Sequence, residues 1–263
     1  MLHRDPPVPP LILKMQFRRN LPGAGSMDFY LTDPENGGLS IEQQEFAADL
    51  IMAYRRKYPD LKINAVWDFG MEEADPVKSE KFGVFEDSRD NAVYNAKMLT
   101  ISLNHARVRK MPCDADMKQI SEIEEYYAGH ADLAAVYAKR QNELMAQGIP
   151  WPKIEGIIRE ELQITPCAEN MLSVGDPYFA DVQSIRMLEN TESLKRLLIH
   201  EIGHMLSEES GAVTHKKIRK LFGKCRDGFE NIYEFCAECF MASELTDKIK
   251  LANEYRETLL SVM

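Results

Sequence analysis

The stretch TESLKRLLIHEIGHMLSEE, residues 191–209, combines apolar residues at helical spacing with two histidines and a glutamate. Leu194, Leu197, Leu198, Ile202, Met205 and Leu206 make it apolar enough for burial, and Gly211 is placed to end it as a left-handed cap. A buried helix carrying His200, Glu201 and His204 leaves polar groups unsatisfied unless something binds them. Residues four apart share a helical face, about 40° from eclipsed. His200 and His204 can therefore direct two imidazole nitrogens at one ion, at the roughly 2.0–2.1 Å that zinc requires. Glu201 is rotated by about 100°, so it borders such an ion without replacing a histidine and can take a proton from bound water. This is the H-E-x-x-H spacing, with a mechanical reason for every fixed position.

A third ligand is needed. A glycine three residues after His204 and a histidine six residues after it would continue the metzincin pattern, but Ser207 and Ser210 stand there. An acid from a later helix is the remaining option, and Glu230-Asn231-Ile232-Tyr233-Glu234-Phe235-Cys236-Ala237-Glu238 supplies it. Glu234 and Glu238 are one turn apart on one face. Glu234 can coordinate, and Glu238 can accept the second ring N–H of a ligand histidine. Glu230 shares that face and rivals either role.

The pairing of His200-Glu201-Ile202-Gly203-His204 with Glu234-Phe235-Cys236-Ala237-Glu238 resembles the gluzincin arrangement. It is most similar to the catalytic domain of anthrax lethal factor and related bacterial and phage-borne toxin peptidases. The resemblance covers about residues 185–245 and implies a zincin-like fold, Glu234 as the third zinc ligand and Glu238 behind it. It also implies a zinc endopeptidase, a toxin or effector acting on proteins. A phage- or host-associated processing peptidase and a zinc-stabilised binding protein without activity are the alternatives. One position departs: the family places a tyrosine seven residues before the ligand glutamate, and Asp227 stands there. An ionised carboxylate would repel an oxyanion, so Tyr233, Tyr178 and His215 are the candidate donors in its place. Tyr233 could equally be a packing residue and His215 a surface one.

Cys225, Cys236 and Cys239 suggest a rival metal site. On a helix, however, Cys236 and Cys239 point away from Glu234, and no fourth ligand stands at a recognisable spacing, so they read as buried thiols. Five cysteines without a secretory signal indicate reduced thiols and a chain that is cytoplasmic as synthesised, delivered to another cell or packaged in a virion if it acts elsewhere. A formal charge of −10 argues against nucleic acid, and no run of about 18–20 apolar residues argues for a membrane. The expected partner is a protein or peptide substrate.

The sequence around this centre predicts an α+β fold: a small mixed sheet in the first half packed on the active-site helix, and a helical C-terminal half. Residues 1–38, rich in Pro and Gly, read as an extended arm, followed by a single domain over 39–263 with a helical insert near 114–163. Ser40 and Gln43 form a capping box opening a helix whose stripe is Ile41, Phe46, Leu50 and Tyr54. Runs 61–69, 81–87 and 92–104 read as a meander, with Lys97 to Asn104 a candidate substrate-pairing edge. A strand near 178–188 and helices over about 191–209, 213–222, 230–245 and 247–261 follow, the last with Thr246 as N-cap.

Overall fold

In the computed structural model, which describes residues 14–21, 25–59, 61–69, 90–96, 99–162 and 175–263, the first described elements are two paired strands. β1 (Lys14–Leu21) and β2 (Gly25–Thr32) run antiparallel, with Lys14 opposite Thr32 and Leu21 opposite Gly25. This corrects the extended arm over 1–38. Met27, Phe29 and Leu31 alternate into buried positions, the period of two that a half-buried strand requires. The remainder of that expectation, residues 1–13 and 22–24, lies outside the described residues, as does the run 81–87.

The chain divides into two compact units, Met1–Asp114 with Glu192–Met205, and Ala115–Thr191 with Leu206–Met263. In the first unit α1 (Ile41–Lys57) follows β2 and leads to β3 (Ala65–Phe69). β4 (Ala92–Asn95) and β5 (Thr100–Asn104) complete a five-stranded sheet of order β1-β2-β3-β5-β4. β2, β3 and β5 are mutually parallel, while β1 and β4 are antiparallel at the two edges. The sheet is mixed rather than a meander, and the fold is α+β. β5 is paired on both sides and buried at every residue, so the expected substrate-pairing edge is not an edge.

The capping box of α1 forms as expected, with Ser40 and Gln43 exchanging hydrogen bonds. Its buried face differs in part: Tyr54 is buried as expected, but Ile41 is 61% exposed, and Gln43, Gln44, Ala47, Ala48, Ile51 and Met52 are buried in its place. The two glutamines face inward because their amides satisfy loop carbonyls. Gln43 donates to Met111 at 2.9 Å, and Gln44 to Leu39 at 2.9 Å and Thr32 at 3.1 Å. At the carboxyl ends of the parallel strands, buried Asp68 accepts from the backbone and the hydroxyl of Thr32, both at 2.8 Å. His105 Nδ1 lies 3.3 Å from the same carboxylate; it opens the short α2 (His105–Val108).

The second unit is helical. α3 (Met117–His130), α4 (Leu133–Ala146) and α5 (Trp151–Glu161) occupy the region expected as an insert. They belong with α6 (Phe179–Glu189), α8 (Lys216–Cys225), α9 (Ile232–Leu245) and α10 (Lys250–Leu260). The region that read as a strand, 178–188, is helix α6. Phe179 to Ile185 are all buried, so no amphipathic period marks it as helical. Asp181 explains the helix's position: it accepts from Tyr127 at 3.2 Å and from the Leu251 backbone at 2.8 Å, joining α3, α6 and α10. Phe235, Phe240 and Tyr255 are fully buried, and Phe229 meets Phe235 edge-on with centroids 5.0 Å apart. Thr246 ends α9 instead of opening α10; its hydroxyl bonds Glu124, which fixes it to α3. Among the described residues no helix is long and apolar enough to cross a membrane.

Candidate metal centre

The H-E-x-x-H segment lies on α7 (Leu194–Glu209). Ser193 begins the helix by accepting the Arg196 N–H at 3.1 Å, and Gly211 follows its end at φ +71°, the left-handed conformation expected of it. Leu194, Leu197, Leu198, Ile199, Ile202, Met205 and Leu206 are all buried, so the helix is held on its apolar residues. His200 and Glu201 are 8% and 5% exposed, and His204 is half-buried.

The two imidazoles converge. Their Nε2 atoms are 3.1 Å apart, with ring centroids at 4.7 Å and planes at 78°. Two nitrogens bound to one tetrahedral zinc at 2.0–2.1 Å are separated by about 3.3 Å, so the rings already stand at nearly the spacing the ion demands.

Glu234 sits in the first turn of α9, whose N-cap Asn231 accepts from Tyr233 N at 2.8 Å and Glu234 N at 3.0 Å. His200, His204 and Glu234 each offer one ligand atom, and these atoms all lie within 4.8 Å of one another. Glu230, the rival acid, is exposed and is not one of the three.

Glu238 is 2% exposed, and its Oε1 accepts from Arg186 Nη1 at 2.8 Å. The histidine N–H expected for Glu238 is not its partner; Arg186 on α6 is. Oε2 is buried with no hydrogen-bond partner among the described residues. Burial drives this carboxyl well above the usual range, Arg186 pulls it back, and Glu189 and Glu234 push it further up. The Arg186 guanidinium is shared between two carboxylates, Glu189 at 3.1 Å and Glu238 at 2.8 Å. The donor set, two imidazoles and a carboxylate with an orphaned buried oxygen behind it, fits zinc.

Arg186 is the residue beside this cluster that sequence reasoning missed. Its Nε and Nη2 both donate to Gly228 O, at 3.0 and 2.8 Å, and its guanidinium lies over the Phe229 ring. It thereby anchors the turn 226–228 that carries Asp227 while neutralising Glu238. The cation was hidden within a run that read as a strand.

The other candidates differ in exposure and in their hydrogen-bond partners. Tyr178 donates to Glu254 at 3.1 Å, and burial with that carboxylate pushes its hydroxyl up to about 12. Tyr233 is 46% exposed, so it is not a core residue. His215 is half-buried, with Nδ1 enclosed and without a hydrogen bond among the described residues. Cys225, Cys236 and Cys239 are buried and reduced, and none belongs to the metal-capable group.

An α+β chain with a convergent His-His-Glu group is as far as the geometry alone classifies the protein. No protein-family model, no characterised protein and no solved structure matches it.

Proposed function

We propose that this chain is a zinc-dependent endopeptidase of the gluzincin type on a zincin-like fold, with His200, His204 and Glu234 as ligands and Glu201 as general base. The observation that carries this reading is the approach of the three ligand atoms to within 4.8 Å of one another, from positions whose residue types and spacing suit zinc. When bound, zinc supplies Lewis acidity that lowers a water's pKa toward about 7 and polarises a carbonyl. Glu201, buried and one residue beyond His200, takes the water's proton on its carboxylate and delivers it to the leaving amine. Glu238, held by Arg186, supports the acidic side of the centre. Tyr233, exposed and adjacent to Glu234, is the donor we assign to the developing oxyanion in preference to Tyr178, whose hydroxyl is committed to Glu254.

Elemental analysis of purified protein tests the reading directly. About one zinc per chain is expected, retained in Glu201→Gln, which loses turnover, and lost in His204→Ala and Glu234→Ala. Zinc-free protein with both histidines intact overturns it. A peptide-library digest with and without chelator then reads the activity, and Tyr233→Phe should lower kcat by about 10²-fold or more with zinc retained. An effector, as against a processing peptidase, should arrest growth when expressed in a host cytosol.

A further inference from the structure

α8 breaks the rules that stabilise a surface helix. Its sequence, KKIRKLFGKC, carries Lys216, Lys217, Arg219, Lys220 and Lys224, all exposed, and no acid. At 100° per residue these five cations cover an arc of about 160°, while Ile218, Leu221, Phe222 and Cys225 occupy the opposite side. Ile218, Leu221 and Cys225 are buried. The apolar side is thus used within the fold, and only the cationic side faces outward.

That side is unfavourable by itself. Lys216 and Lys217 occupy the first turn, where the helix dipole disfavours positive charge. Pairs 216/219, 216/220, 217/220 and 220/224 set like charges three or four residues apart, where they repel. Among the described residues, Lys216, Lys217, Arg219 and Lys220 make no ion pair, and Lys224 only lies over the Tyr178 ring at 5.5 Å. Among the described residues no ion pair offsets this repulsion, although acids outnumber bases by 42 to 32 in the chain. A local rule broken without a structural gain marks a surface kept for a partner.

We infer that the outer face of α8 docks a short acidic segment of a partner polypeptide. The choice follows from charge and size. Setting aside the five cations of α8, the formal charge of −10 becomes −15 for the remainder. A duplex or an anionic membrane extends far beyond one helix and meets that negative charge. A ten-residue helix is about 15 Å long, the span of four or five extended residues, so an acidic peptide of that length matches a helix that carries five cations and no acid of its own. With its apolar side buried, α8 also has nothing to insert into lipid. The surface does not depend on the zinc reading, because it is defined by binding and not by turnover.

Labelled hexaglutamate, titrated by fluorescence anisotropy at 20 mM salt into the full chain, is the test. Submillimolar binding is expected, weakening as salt rises to 150 mM, and at least tenfold weaker in Lys217→Gln/Arg219→Gln/Lys220→Gln. Removing like charges leaves that variant folded, which circular dichroism verifies. The control Lys139→Gln/Lys153→Gln should bind as the native chain does. No binding below 1 mM, equal affinity in the α8 variant, or tighter binding of a 20-base-pair duplex or phosphatidylserine vesicles overturns the inference.

Discussion

The Oε1 atom of Glu238 accepts from Arg186 at 2.8 Å, and a carboxylate 2% exposed depends on that guanidinium for charge balance. Removing one partner of a buried pair costs far more than replacing both by apolar groups. Arg186→Met should therefore destabilise the chain by about 3 kcal/mol in urea unfolding, and Arg186→Met/Glu238→Met should recover most of that loss. A double variant no more stable than the single one would refute the pairing as the cause. Asp68 has the same logic with neutral donors. Asp68→Ala leaves the Thr32 N–H and hydroxyl without their acceptor and should cost about 3 kcal/mol, whereas Asp68→Asn keeps an acceptor oxygen and should cost less. Equal losses in the two variants would mean that hydrogen bonding is not what Asp68 contributes.

Among the elements, α7 was the most legible because both its signals are local: a periodic apolar face and a glycine beyond its end. α9 was legible from the spacing of its acids, although its N-cap, Asn231, went unread. α6 was not, since its near-total burial removes the contrast between faces on which periodicity depends. α1 was legible in extent but not in orientation: Gln43 and Gln44 face inward to serve carbonyls 5 to 68 residues away in sequence, a demand no local pattern announces. α8 was legible in extent, as a helix over about 213–222, and the structure has it at Lys216–Cys225 with its cations exposed. Its electrostatic strain predicts that Lys217→Glu, which suits the dipole and pairs with Lys220, raises stability by a few tenths of a kcal/mol in urea unfolding. A lower urea midpoint would show that the face is not strained.

For the whole molecule, the buried thiols and phenols set an alkaline limit. Burial pushes Cys225 and Cys236 each up to about 12 from 9.0, so both stay protonated in the folded chain above the pH at which an unfolded chain ionises them. A raised folded-state pKa contributes stability below pH 9 that is lost as pH climbs toward 12, at about 1.4 kcal/mol per pH unit for each thiol. Tyr127, also raised to about 12, adds to the loss above pH 10. Equilibrium unfolding between pH 8 and 11 should show this decline, and Cys225→Ala/Cys236→Ala should flatten its slope. An unchanged slope in that variant would place the alkaline limit elsewhere.

The amino-acid order alone determined that two imidazoles stand one turn apart with a carboxylate beside them, because helical rise and rotation are constant and need no tertiary information. It also limited the proposed third ligand to the acids of one later helix. Only the tertiary structure decided which acid approaches the rings, that Arg186 holds Glu238, and how the strands are ordered. Those outcomes depend on packing, desolvation and pairing between residues distant in sequence, where many local patterns are compatible with each arrangement and burial chooses among them.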